Sequence, residues 1–224
     1  MFYKSCKAVI GIQCRYSSRR LRGKAMLPIL STTVLGATIL RSLATELDTY
    51  VLTSIEKSDD VIAKYATNFP IKNVIRGPLK NVQKRFRELA KTTKAEYIIR
   101  VTADNPFTDS FAILKLLEYS LNKKSTYSRF LESELPIGFH AECFQSDQLF
   151  LDHNKCPISD EHVTYALRKR SNHNQIKGLG YNLKVPTLET LSCTIDTISD
   201  YKKALLLSSA LKIEDFSSLD LTKK

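Results

Sequence analysis

The chain has 224 residues, 43% of them hydrophobic, and 34 basic against 23 acidic side chains give a formal net charge of +11. That length supports one sizeable core, a single domain over residues 1–224, and the charge points to an anionic partner. The five cysteines include no C-x-x-C pair, which leaves no pattern for a disulfide framework or a zinc ribbon and suits a reducing cytoplasm. No apolar run approaches the ~20 residues that span a bilayer.

The first two dozen residues are basic and lack acids, as in an organellar transit peptide. Against that, residues 8–12 (Ala-Val-Ile-Gly-Ile) read as a buried first strand that the fold needs. Directly after it, Arg15, Arg19, Arg20, Arg22 and Lys24 crowd one short loop. Ligands bind at that end of a strand in an open α/β sheet. Cations packed so densely repel one another, and a polyphosphate would supply the missing counter-charge. A solvated basic loop is the plainer alternative.

Leu35, Ile39, Leu43 and Leu47 recur four apart and predict a helix, capped by Ser31 or Thr32. Residues 49–53 predict a strand, and Ser58-Asp59-Asp60 starts a short helix through Tyr65 with acid at its positive end. A third strand covers 71–75. Asn81 then caps a helix carrying Val82, Phe86, Leu89 and Ala90, and a fourth strand covers 97–102. Asp109 caps a helix bearing Ile113, Leu114, Leu117 and Leu121. This alternation predicts an α/β fold, a Rossmann-like doubly wound and mostly parallel sheet with helices on both faces. The second half, about 125–190, is less regular. Strands are expected at 126–131, 141–144, 178–185 and 191–195, and helices at 161–170 and 199–211. The other cations, among them Lys84, Arg85, Arg87, Arg168, Lys169 and Arg170, read as solvated surface. They do not interleave with aromatic residues as a single-strand groove requires, so no specific nucleic acid is expected.

Asp104 follows the fourth strand in Ala103-Asp104-Asn105-Pro106, a placement that suits a magnesium ligand or a turn cap. Magnesium is commonly held by one or two carboxylates plus substrate phosphates. Asp196, in Cys193-Thr194-Ile195-Asp196-Thr197, ends the last expected strand and would meet Asp104 across one ion if the two strands were neighbours. Glu142 follows Gly138-Phe139-His140-Ala141 in an apolar run, where an unpaired charge is costly to bury. Asp160-Glu161-His162-Val163-Thr164 sets two acids and an imidazole at a helix start, where a structural role is the alternative. His153-x-x-Cys156 has metal-ligand spacing but lacks a second pair. There is no Walker loop, nucleophile elbow or G-x-G-x-x-G.

Several of these segments, in this order, resemble the cytidylyltransferase family of bacterial surface-sugar biosynthesis. They are Ile12-Gln13-Cys14-Arg15 with Ser18, Arg20, Leu21, Gly23 and Lys24; Ile75-Arg76-Gly77; and Arg100-Val101-Thr102-Ala103-Asp104-Asn105-Pro106 with Asp109. They continue with Gly138 and Glu142, Glu161-His162-Val163-Thr164, and Thr194-Ile195-Asp196-Thr197. The nearest branch resembles the spore-coat polysaccharide protein F group, related to the synthetases that activate KDO and sialic acids with CMP. The resemblance implies a sheet of the nucleotide-diphospho-sugar transferase type. It also implies a magnesium-dependent transfer of CMP from CTP to an acidic sugar, with pyrophosphate leaving. On that basis Gln13, Arg15, Ser18, Arg20, Lys24, Arg76 and Thr102 bind the nucleotide, and Lys24, Arg15 and Asp104 are catalytic. Asp104 and Asp196 hold Mg2+, and Glu142, His140, Glu161 and His162 are candidates for the acceptor side. The second half would bind the acceptor and supply an arm for a homodimer, in the cytoplasm and away from any membrane.

The chain departs from the family pattern at several points. Arg22 replaces a proline before Gly23, Ser17 replaces a glycine, and Pro78-Leu79-Lys80-Asn81 replaces acidic residues. His140 replaces an aspartate, and Ser192 and Cys193 stand where an arginine is common. A less constrained basic loop is expected from the first two. The departures keep two alternatives open: a different acceptor, such as a phosphonate or phosphorylated alcohol, and a non-catalytic nucleotide-binding relative.

Overall fold

The computed structural model describes residues 7–131, 135–151, 163–169, 173–176 and 192–210. β1 (Ala8–Gln13) is buried on both faces, as a central parallel strand must be. Two-residue strands β2 (Pro28–Ile29) and β3 (Thr32–Thr33), too short to show a pattern in the sequence, lead into α1 (Val34–Leu43). The cap of α1 is Thr33, beyond both expected residues; its Oγ1 accepts the Gly36 amide at 3.0 Å. Thr32 instead pairs its hydroxyl with that of Tyr65 at 3.1 Å. β4 (Asp48–Ser54), α2 (Asp60–Ala66), β5 (Asn73–Gly77), α3 (Val82–Thr93), β6 (Tyr97–Thr102) and α4 (Ser110–Lys123) continue the alternation. Asn81 and Asp109 cap their helices as expected, each accepting a backbone amide at 2.7 Å.

The second half contributes β7 (Tyr127–Phe130), β8 (Glu142–Gln145), α5 (Tyr165–Arg168), β9 (His173–Ile176) and α6 (Ile198–Ala210). The seven-stranded sheet has the order β5-β4-β1-β6-β8-β7-β9. β8 runs antiparallel to both its neighbours, and the other pairings are parallel. The doubly wound, mostly parallel α/β architecture is therefore present, with β8 as its inversion. Residues 192–195 are not the strand expected there. Cys193 and Ile195 donate single amide bonds, at 2.7 Å to Ile137 O and 2.9 Å to Asp104 O, in an extended segment beside the sheet. The expected strand over 178–185 lies outside the described residues, as do His153, Cys156, Glu161 and His162.

Side chains alternate between two cores, one on each face of the sheet. Ile10, Ile12, Ile99 and Val101 pack with α1 and α4, whereas Val9, Leu52 and Ile98 pack with Phe86 and Leu89 of α3. Gly11 lets α3 approach closely, since a Cβ there would lie 2.8 Å from Phe86 and 2.9 Å from Leu89. This close packing brings the start of α3 over the C-terminal ends of β1 and β4.

Candidate active site

A cavity of about 400 Å³ opens at the C-terminal ends of β1 and β6. The basic loop after β1 forms one wall, contributing Arg15, Ser18, Arg19, Arg20 and Lys24. Its backbone turns tightly because Tyr16 O accepts the Ser18 amide at 2.9 Å and the Gly23 amide at 2.8 Å. Gly23 takes the left-handed conformation (φ 73°), and a Cβ there would sit 3.1 Å from the Tyr16 ring. Arg22, the substitute for the proline, lies with its guanidinium 5.9 Å from the centroid of that ring. The loop is thus held in shape despite both departures at its tip.

Asp59, at the N-cap position of α2, makes no side-chain cap bond and instead anchors the loop from below. Fully buried, it accepts the Tyr16 amide at 2.8 Å, the Ser54 amide at 2.9 Å and the Thr53 hydroxyl at 3.0 Å. Burial alone would raise its pKa, but the bonds from Ser54, Tyr16 and Thr53 outweigh burial and leave it below the usual carboxylate value.

Lys24 reaches from the loop to the opposite wall, where its Nζ donates to Asp104 Oδ2 at 2.6 Å and to Asp196 Oδ1 at 2.8 Å. The structure therefore brings Asp104 and Asp196 together, although they do not end adjacent strands. Asp104 follows β6, and the Ile195 amide bonded to Asp104 O lays the later segment alongside. A capping box then fixes Asp196: Asp200 Oδ2 accepts the Thr197 amide at 2.9 Å, and Thr197 Oγ1 accepts the Asp200 amide at 3.2 Å. Arg20 adds a 2.8 Å ion pair to Asp196 from the rim. The cation on which the two carboxylates converge is the Lys24 ammonium, and a carboxylate pair is also a donor set of the kind that magnesium takes. No cluster of three or more His, Cys, Asp or Glu exists among the described residues.

Gln13 and Thr102 also line the cavity, whereas Arg76 does not. Arg76 sits on the edge strand β5, where its Nε donates to Ser54 O at 2.8 Å and its Nη2 to Glu56 O at 3.1 Å. It also pairs with Asp60 at 2.7 Å, so it braces the β4–α2 connection. The floor of the cavity is instead contributed by Arg85 of α3, which is 1% exposed and not the solvated cation expected from the sequence.

A smaller cavity of about 170 Å³ adjoins the first and shares Thr102 with it. Arg100, Arg129, His140, Glu142 and Arg168 line it. Glu142 is buried and fully engaged. It accepts hydrogen bonds from Arg100, from Arg168, from Tyr127 OH at 2.6 Å and from Thr164 Oγ1 at 3.0 Å. Burial would raise its pKa, but the Arg100 and Arg168 charges and the Tyr127 bond hold it at about 2. The apolar run around Glu142 thus hides a charge whose partners lie 42 and 26 residues away, out of reach of local sequence pattern. Arg168, at the surface as expected and 48% exposed, is one of them. His140 Nε2 lies 2.7 Å from Leu135 O. Arg100 links the cavities, with its Nε donating to Gln13 Oε1 at 3.1 Å.

Comparison with known proteins gives this arrangement its family. A cytidylyltransferase family model matches residues 8–215. An uncharacterised protein of Methanocaldococcus jannaschii is 31% identical over 207 residues, covering 89% of this chain and 82% of its own. The spore coat polysaccharide biosynthesis protein SpsF of Bacillus subtilis is 28% identical over 204 residues, covering 85% and 82%. The solved structure of a cytidylyltransferase from Leptospira borgpetersenii matches with a TM-score of 0.82 and 24% identity, over 95% of this chain and 90% of that one. The basic loop, the paired aspartates and the mostly parallel sheet all lie within the matched span, and the chain belongs to the cytidylyltransferase family.

Proposed function

We propose that this cytidylyltransferase transfers CMP from CTP to an acidic sugar, a 3-deoxy-ulosonic or nonulosonic acid, and releases pyrophosphate. The observation that carries this reading is the adjacency of two cavities of different character across Thr102. The larger has a cationic loop facing a carboxylate pair, suited to a triphosphate. The smaller sets Arg100, Arg129 and Arg168 against the single carboxylate of Glu142, a net positive lining suited to an acceptor that carries a carboxylate. CTP in the first and sugar in the second would meet at Thr102. The sugar hydroxyl oxygen bonds to the α-phosphorus and gives up its proton to solvent water. The bond from that phosphorus to the bridging oxygen breaks, and pyrophosphate leaves with the electron pair.

Chemistry of this kind depends on positioning and charge neutralisation. Arg15 and Arg20 offer planar forks to phosphate oxygens, Ser18 a hydroxyl, and Lys24 a compact charge. Asp104 and Asp196 would hold Mg2+, which would neutralise charge building on the departing pyrophosphate. The acceptor cavity draws its arginines and His140 largely from the second half of the chain, which supports an acceptor role for that half. The proposal includes a cytoplasmic location, supported by the odd number of cysteines and the lack of a C-x-x-C pair among them. It also includes a homodimer through the second half, which light scattering would test. A phosphorylated or phosphonate acceptor is a second reading, favoured by His140 in place of the family's aspartate.

The test is pyrophosphate release from CTP and Mg2+ across a panel of acidic sugars and phosphorylated alcohols. Release with one acidic sugar, abolished by Asp104→Ala, is the expected result. Release only with a phosphorylated alcohol would favour the second reading. Tight CTP binding without turnover on any acceptor would overturn the transfer reading in favour of a non-catalytic relative.

A further inference from the structure

Arg85 is the least satisfied charged group described in the molecule. Its side chain leaves α3 beneath the basic loop, is 1% exposed and lines the nucleotide cavity. Nη1 donates to Leu52 O at 3.2 Å and, at a longer 3.4 Å, to Cys14 O, the carbonyls at the ends of β4 and β1. Nε and Nη2 are buried with no hydrogen-bond partner. Those two nitrogens form the side-on edge of the guanidinium, with their N–H bonds parallel. A buried donor pair left without acceptors is costly, and a ligand that brings two acceptors relieves that cost. Gly77 makes room for the stem: a Cβ there would lie 2.8 Å from Arg85 Cγ.

The topology says which end of a nucleotide reaches this edge. Arg85 sits on the β4 side of β1, whereas Asp104, Lys24 and the acceptor cavity lie on the β6 side. The α-phosphorus must lie near the acceptor, so the phosphates occupy the β6 side and the rim, where Arg20 is 65% exposed. The base is then the part that extends toward β4 and the buried floor. Cytosine presents O2 and N3 as adjacent acceptors in one plane, matching two parallel N–H donors. Uracil presents O2 beside an N3–H donor, which would face a second donor.

We propose that Arg85 selects the nucleobase, donating from Nε and Nη2 to O2 and N3 of cytosine. The assignment rests on CTP as the donor substrate but not on the identity of the acceptor. A fork to a phosphate would tolerate lysine in its place far better than a two-point fork to a base edge.

The experiment measures binding of CTP, UTP, cytidine and pyrophosphate to the wild type, Arg85→Lys and Gly77→Ala, with melting temperatures recorded alongside. The wild type should prefer CTP over UTP by about tenfold or more, the discrimination typical of a bidentate base contact. In Arg85→Lys that preference should fall to about twofold or less and cytidine competition should vanish, while pyrophosphate affinity holds within about twofold. Gly77→Ala, which displaces the Arg85 stem without removing the guanidinium, should narrow the CTP preference in the same direction. Equal losses for CTP, UTP and pyrophosphate would overturn the proposal and make Arg85 a phosphate clamp. A lower melting temperature with the CTP preference intact would make it a structural residue. Failure of every acceptor to react, with the CTP preference lost in Arg85→Lys, would defeat the acidic-sugar reading and leave this one standing.

Discussion

Lys24 ties together Asp104 and Asp196, the two carboxylates proposed to hold Mg2+, and it is only 11% exposed. Removing its charge leaves Asp104 and Asp196 facing each other and takes a cation from the place where phosphate charge develops. Lys24→Ala should therefore lower the rate of pyrophosphate release by about 10²–10³, the usual cost of one preorganised donor to a developing charge. Normal turnover in the variant would remove Lys24 from the mechanism. Glu142 makes a different prediction, in stability. Its pKa of about 2 in the folded protein lies below the ordinary 4.5, so the folded state binds fewer protons than the unfolded one. Its contribution is present in full above about pH 4.5 and is lost as the pH falls toward 2. Glu142→Gln should cost about 3 kcal/mol at neutral pH, the low end for a broken buried pair, because Arg168 is partly solvated. Urea midpoints of wild type and variant should converge as the pH is lowered through that window; a constant gap would show that the charge is not what matters.

Among the elements, the loop between β1 and α1 carries most of the site's shape, and Gly23 is its sensitive point. An L side chain at φ 73° is strained, and the new Cβ would press on the Tyr16 ring at 3.1 Å. Gly23→Ala should cost about 1–2 kcal/mol, a fall of roughly 2–8 °C in Tm for a chain of this size, and should weaken CTP binding. Calorimetry and CTP titration would check both effects; unchanged CTP affinity would mean that loop shape does not govern the site. The elements that frame this loop were legible in the sequence because their signals are local. Two-faced apolar runs gave β1 and β6, and Asn81 and Asp109 gave their helix starts. What was not legible depends on distant partners. Of the strand expected over 191–195, the described residues 192–195 form no strand; the Cys193 and Ile195 amides bond instead to Ile137 O and Asp104 O. Asp59 read as one of the acids at a helix start, and nothing near it in sequence reveals that it also holds Tyr16, 43 residues earlier. Arg85 looked like an ordinary surface cation for the same reason, and the pairing of the exposed Arg168 with Glu142 was equally hidden.

For the whole molecule, the net charge of +11 is not simply a solvated coat. Arg85 is buried under the nucleotide cavity, Arg41 is buried against Asp109, and Arg100 and Arg168 converge on Glu142. Charge organised this way favours an anion of defined shape over polyanions in general. CTP at about one hundred times its Kd, with Mg2+ present, should stabilise the protein by about 2.7 kcal/mol, a rise of roughly 5–10 °C in Tm. RNA attracted by surface charge alone should lose its affinity steeply between low and physiological salt, because its binding is driven by counterion release. CTP contacts sheltered in the cavity are screened much less, so its stabilisation should persist across the same range. Indifference to millimolar CTP, together with salt-sensitive RNA binding, would mean that the positive charge serves nucleic acid and that the cavity is not a nucleotide site.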